Sequence, residues 1–515
     1  MSAGEGPSTD SGAIGRSSLL RDASGYMAAI YVSQVLLFGV HFATKGILGP
    51  VELGIWSLLL AVLSFLSLLE LGVVQAANKE ISYSLSRGEE EIAERLKGVQ
   101  YSFVVLTSVL GSLGVLLYAL VMSGQNGKTL TLGLLSIALI LPISQIHMGQ
   151  VSVYWANWKF SATGGLVIFD AVLAGTVGLW LVWGFGVVGQ IAVFMLILLV
   201  KVGVLSRQAG RDSRLKVNFS WDAKALRHLL KIGIPLQVIN LANIFKISGT
   251  VFLISYFFDT RAVGFYALAL SVQNFIYWTP NAFSVVMFPR FQSRYASTND
   301  EVAALHSYLV KPLYGLGFFL LPVLLSAAYF MVPPLIEHAL PAYGPTIPLL
   351  AAILPGTFFM SMEHMPGQLL TTANRLWERV LIAVLGIALI VVCISAAAVL
   401  DSSLFGFVLS LSVSSILAFL ILFSYANHLA KGSESTRFLG SKLVGAFLYL
   451  VAVVLAIDRV LPVSHGSWQG DLLAALGKWA MSLVLLTPLF LVAERNLGLV
   501  AAIRHLLGDL LRRAR

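Results

Sequence analysis

Lys246 stands near the middle of a long apolar run, with Asn240 and Asn243 six and three residues before it. An ammonium group at the centre of a bilayer-spanning helix costs roughly 2.5–3.5 kcal/mol on insertion scales, so it persists where protein or water receives it and marks a pathway. The spacing places all three residues toward one side of a helix, a polar stripe that lipid rejects. An ammonium with two carboxamides is rich in donors and suits an anion; the competing reading is a lysine buried for structure alone. His41 and Lys45, four residues apart in another apolar run, share a helix face and would extend the positive patch. Against that, Lys45 could reach the headgroups and His41 a neighbouring carbonyl. Three acids stand apart from these: Glu70, Asp170, and Glu363 next to His364. A carboxylate inside a span can take up and release an ion, which makes Glu70, Asp170 and Glu363 the candidates for ion coupling, Glu70 foremost. The alternative is that they pair with bases such as Lys79 or Arg375 and hold helices together.

The elements that position these groups are fourteen apolar stretches, near residues 26–48, 53–77, 98–122, 130–153, 162–184, 186–206, 232–258, 262–287, 309–331, 347–370, 379–400, 405–425, 440–461 and 471–493. About 20 residues at 1.5 Å rise cover the ~30 Å hydrocarbon core, so each is long enough to cross. Of the 34 Lys and Arg residues, all but six fall in every second gap or at the ends. Lys128, Arg261 and Arg459 lie in the opposite gaps, and Lys45, Lys246 and Lys478 lie within spans. The positive-inside rule then puts both termini in the cytoplasm of a cell whose inner membrane the chain crosses.

Charged residues are 11% of the chain against about 25% in soluble domains. The net charge of +9 belongs to loops facing anionic lipid and does not call for nucleic acid. A single cysteine, Cys393, excludes an intrachain disulfide. There is no Gly-Lys-Ser/Thr phosphate loop and no metal-ligand spacing, and the loops are too short for a transferase domain, so neither an enzyme, a cofactor nor a metal is expected.

The chain divides into a cytoplasmic tail (1–22), a six-helix bundle (23–206), a cytoplasmic amphipathic linker (207–231) expected to lie as a helix on the membrane, a second six-helix bundle (232–425), and a final helix pair with a basic tail (426–515). A weak internal repeat aligns Gly54-Ile55-Trp56-Ser57-Leu58 with Gly264-Phe265-Tyr266-Ala267-Leu268, as two parallel bundles would produce. The fold class is all-α and polytopic. Pro235, Pro280, Pro322 and Pro355 suggest bends in spans seven to ten.

Gly46–Leu59 (GILGPVELGIWSLL) is similar to the signature that opens the second span of Wzx-type polysaccharide flippases in the MOP superfamily. Glu70–Ser82 (ELGVVQAANKEIS) resembles that span's end, and Asp259–Val272 (DTRAVGFYALALSV), Phe288–Ala296 (FPRFQSRYA) and Leu369–Glu378 (LLTTANRLWE) resemble later family segments in order. The family often carries Arg four residues before the Pro of the first motif; here Gly46 holds that position and Lys45 precedes it. The resemblance implies MATE-like N- and C-lobes and a lipid-linked oligosaccharide, held by its diphosphate, passing from the cytoplasmic to the outer leaflet through a positively charged vestibule. It further implies H+, Na+ or the membrane potential as drive, and a polysaccharide polymerase and chain-length regulator as partners. The rivals are a MATE-like drug or cation antiporter, a peptidoglycan-precursor flippase, and a non-transporting scaffold of a polysaccharide assembly complex.

Overall fold

Each of the fourteen apolar stretches forms helix in a computed structural model, which describes residues 11–124, 127–157, 159–298, 301–400, 403–431, 433–461 and 466–498. Residues 1–10 of the expected tail and the basic Arg504, Arg512, Arg513 and Arg515 lie outside the described residues. Among the described residues, ten helices are long and apolar enough to cross a membrane, and Trp468–Leu485 with Thr487–Leu497, bent by 51°, makes a further one. Two of the ten hold two stretches each, divided at Gly49 and Gly186, and Thr260–Ser297 supplies the eighth span, which accounts for all fourteen.

The two turns have local causes. Gly49 sits at φ 70°, ψ 171° and is followed by Pro50, a backbone region open to glycine and then a residue suited to a helix start. Gly186, at φ 58°, ψ −136°, breaks the fifth span from the sixth. There the Glu52 carboxylate accepts a hydrogen bond from the Val187 N–H at 3.0 Å, satisfying a donor that a helix start would otherwise orphan.

The chain falls into two compact units, one ending at Ile244 and one beginning at Phe245. In the first, Val73, Ala77, Ile81, Ala93, Leu96, Val99, Phe103 and Leu229 form a buried cluster. In the second, rings meet at centroid distances of 5.0 Å for Phe358 and Phe359, 5.1 Å for Phe359 and Phe447, and 5.6 Å for Phe359 and Phe419. Val121, Trp183 and Val399 are 75%, 76% and 85% exposed, apolar surface of the kind that lipid tails cover.

The linker departs from the expected surface helix. The sixth-span helix runs on to Ala209, a tight turn spans Ser213–Leu215, extended chain follows, and helix resumes at Ala223 as the start of span seven. The apolar positions of the amphipathic pattern are used inside the protein: Leu229 joins the buried cluster, and Leu226, Leu230 and Ile232 pack against it. Lys97, 1% exposed, fixes the linker by donating to the Arg214 carbonyl at 2.6 Å and to Glu94 at 2.6 Å.

Because Ala223–Ile244 packs with the first unit, the division lies inside span seven and not at residue 232. A close helix approach anchors this segment. A Cβ on Gly233 would stand 2.6 Å from the Gly72 carbonyl oxygen, and Gly72 itself has φ 75°. Gly233→Val is expected to lower stability by about 1–3 kcal/mol through overpacking. Thermal unfolding of the purified protein in detergent would show it, and an unchanged midpoint would mean that the approach is not tight.

Asp222 caps the same helix, its carboxylate accepting from the Lys224 N–H at 2.8 Å and the Ala225 N–H at 3.2 Å. These backbone donors, with Arg95 at 3.5 Å, hold the carboxyl below the usual carboxylate range. A depressed carboxylate contributes stability above the unfolded value of about 3.9, lost as pH falls through the folded value. After correction for intrinsic rates, amide exchange at Lys224 and Ala225 should therefore be slow at neutral pH and speed up in acid, and Asp222→Ala should make it fast throughout. Equal protection in acid and at neutrality would remove the cap from the account.

Candidate functional site

Among the described residues, three five-residue π-helical turns interrupt the helices, at Ala174–Gly178, Phe245–Gly249 and Leu316–Leu320. Such wide turns recur at functional sites. Lys246 occupies the second of them. Opposite it, Glu363 lies where the tenth span is interrupted between Thr346–Met362 and His364–Thr372. The Lys246 Nζ donates to Glu363 Oε2 in a short ion pair, with side chains 11% and 16% exposed. Glu363 Oε1 is buried and has no hydrogen-bond partner.

Further groups gather round this pair. The His364 ring lies 4.7 Å from the Tyr277 ring, and its Nε2 is buried without a hydrogen-bond partner. Arg379, from the first turn of span eleven, reaches back to the end of span ten and donates to Thr371 Oγ1. Gly367 leaves room for it: a Cβ there would stand 3.2 Å from the guanidinium. Beside Lys246 a small space of about 20 Å³ is lined by Tyr266, Gln273, Ser412, Ser414 and Ser415 among others. The arrangement is a cationic one, with Lys246 and Arg379 set against the single carboxylate of Glu363 and near a neutral donor surface.

The other candidates lie in the first unit. Glu70 ends a short turn, Ser67–Glu70, after which Leu71 (φ 51°) and Gly72 (φ 75°) are both left-handed and the helix restarts at Val73. Its carboxylate is held by the Val74 backbone, is 9% exposed, and leaves Oε2 buried without a partner. Among the ion pairs of the described residues Glu70 has none, whereas Asp170 meets the Lys201 Nζ at 2.7 Å. Lys45 is buried, 6% exposed, but His41 is exposed. Residues four apart on a helix differ by about 40°, enough to straddle the edge of a buried face.

Asn240 is half-buried and Asn243 exposed, so the stripe drifts round the helix as successive three-residue steps each fall about 60° short of a turn. Of the sequence candidates, the structure joins Lys246 to Glu363. The partners that it supplies are Lys201 for Asp170 and Lys246 for Glu363; Arg375 instead meets Glu378 at 3.0 Å.

Arg379 and Glu52 were not legible as site residues. Arg379 reads as one more basic residue at a span end, and the signal that could have raised it is Gly367, small and one turn after Glu363. A second polar group sits in the final helix pair. There the Lys478 Nζ donates to Asp458 at 2.8 Å, Tyr329 donates to the same carboxylate at 3.3 Å, and a cavity of about 290 Å³ opens beside them.

The fold is similar to that of solved MATE transporters. The chain matches the inward-facing conformation of a multidrug resistance MATE family transporter with a TM-score of 0.62 at 14% identity, over 80% of this chain and 96% of that one. For the outward-facing conformation the values are 0.58, 15%, 82% and 96%. For the Vibrio cholerae MATE transporter VcmN in the bent form they are 0.51, 15%, 81% and 99%. Fold and spans thus define a multi-pass membrane protein of MATE-like architecture. No curated protein matches the chain. Residues 46–341, more than half of the sequence, match the polysaccharide biosynthesis protein family, and the chain belongs to it.

Proposed function

We propose that the chain is a flippase that carries a polyprenyl-diphosphate-linked oligosaccharide from the cytoplasmic to the outer leaflet for surface polysaccharide assembly, by alternating access. The observation that carries this reading is the cationic cluster within the second unit, where Lys246 and Arg379 outnumber Glu363. Membership of a polysaccharide biosynthesis family supplies the glycan, and an intramembrane cation supplies a grip on the diphosphate by charge-assisted hydrogen bonds. Lys45, 6% exposed, adds a further positive charge in the first unit, with His41 one helical turn earlier. Asn240 and Asn243 offer amide groups for sugar hydroxyls. Lys246 and Arg379 oppose a cation or drug as cargo, since both repel it at this site.

Glu70 is the coupling group in this reading, exchanging H+ or Na+, because Asp170 and Glu363 are already held by lysines. The protein sits in the inner membrane with both termini cytoplasmic and delivers its product to a polymerase and chain-length regulator. The test is a deletion strain complemented with the wild-type chain. Lost surface polysaccharide with accumulated lipid-linked oligosaccharide, both restored on complementation, supports the flippase; a deletion with normal polysaccharide and altered drug tolerance would replace it by the antiporter.

A further inference from the structure

The Lys246–Glu363 pair poses a question that the flippase reading does not answer. A lysine meant to grip an anion is already gripped. Glu363 Oε2 takes the Lys246 ammonium, while Oε1 is buried and receives no hydrogen bond. A carboxylate built to be permanent structure is ordinarily saturated by donors on both oxygens. Arg379 spends its hydrogen bond on the neutral Thr371 hydroxyl and has no ion pair among those of the described residues. His364 Nε2 is a second buried polar atom without a hydrogen bond. The space beside Lys246, about 20 Å³, has room for water and not for a diphosphate, so an anion reaches the ammonium when the pair parts.

We propose that Glu363 is the resident counter-ion of Lys246, occupying it in the empty protein, and that a diphosphate displaces it and draws in Arg379 as a second cation. This rests on the flippase reading and deepens it. A diphosphate diester carries one charge per phosphate, which matches two cations once Glu363 has swung away; a monophosphate diester would leave one of them unmatched. The neutral pair also keeps the empty site from holding a bare ammonium in the membrane, which is the costly state. Competition by Glu363 then sets the affinity low enough for release.

The test uses the full-length protein in nanodiscs, titrated with inorganic diphosphate and, as single-charge control, dimethyl phosphate. Affinity for diphosphate is expected to rise in the order wild type, Glu363→Asp, Glu363→Gln, by about tenfold or more at the last step. It should vanish in the Lys246→Met/Glu363→Gln double variant and fall in Arg379→Gln. Transport of lipid-linked oligosaccharide by Glu363→Gln should show a lower KM together with a lower kcat, which a purely structural pair would not produce. Glu363→Asp keeps the test decisive if the glutamine variant does not fold.

Unchanged or weaker diphosphate binding in the Glu363 variants, with export still dependent on Lys246, overturns the counter-ion and leaves the flippase standing. No diphosphate binding by any form, with normal surface polysaccharide in the deletion strain, removes both, and normal export from Lys246→Ala removes the counter-ion alone. Dimethyl phosphate binding to Glu363→Gln as tightly as diphosphate would overturn the two-cation match.

Discussion

Lys246→Ala is expected to cut polysaccharide export by about tenfold or more and to let lipid-linked oligosaccharide accumulate, since removing one partner of a desolvated charge pair typically costs about 2–5 kcal/mol. Two effects are superimposed in that variant. The anion loses its ammonium, and Glu363, 16% exposed, is left as a buried carboxylate without its cation. The second effect alone could lower the amount of protein. Export must therefore be normalised to membrane protein level and compared with the neutral Lys246→Met/Glu363→Gln pair, which removes both charges at similar shape. If that pair folds at wild-type level but fails to export, the loss belongs to the anion site. If it exports normally, Lys246 holds the bundle together and has no part in transport. Lys246→Arg, which keeps the charge, should retain part of the activity.

Glu70→Gln is expected to reduce gradient-driven transport on the order of tenfold, within the usual range of a coupling free energy, while leaving thermal stability close to wild type. The stability half of this prediction follows from the geometry. Glutamine keeps an acceptor for the Val74 backbone and fills the same space between Ser67–Glu70 and the helix that restarts at Val73. What it removes is the capacity to exchange an ion at the buried oxygen that has no partner. In proteoliposomes, wild-type flipping should respond to an imposed ion gradient and the variant should flip slowly at a rate indifferent to it. A variant that responds to the gradient as the wild type does would show that Glu70 serves as a helix cap and that coupling lies elsewhere.

The fourteen spans were readable because each is long and apolar, and their breaks coincide with glycines whose backbone angles other residues avoid, Gly49 and Gly186. Direction round the helix is much less readable. His41 and Lys45 differ in burial although they share a nominal face, and Asn243 is exposed although Asn240 is half-buried. Partners were not readable at all: Lys246 and Glu363 are 117 residues apart, and nothing in either run names the other. The linker shows the same limit from the apolar side. Its amphipathic pattern was evident, but Leu229 buries that face against Leu96 and Val99 instead of lipid, a choice made by packing between segments far apart in the chain.

The wide turn at Phe245–Gly249 has a consequence for how this family would diverge. A turn of this kind holds one residue more than the ordinary helix. Deleting a single residue there would restore regular winding, leaving the segments on its two sides close to their present relative orientation while moving the residues inside the turn, Lys246 among them, round the helix. The cation would then leave Glu363 without any change in residue type at either position. Loss of the ion pair can thus be written as a gap of one residue, invisible to any comparison that asks whether a lysine and a glutamate are present and visible to one that counts the residues between them.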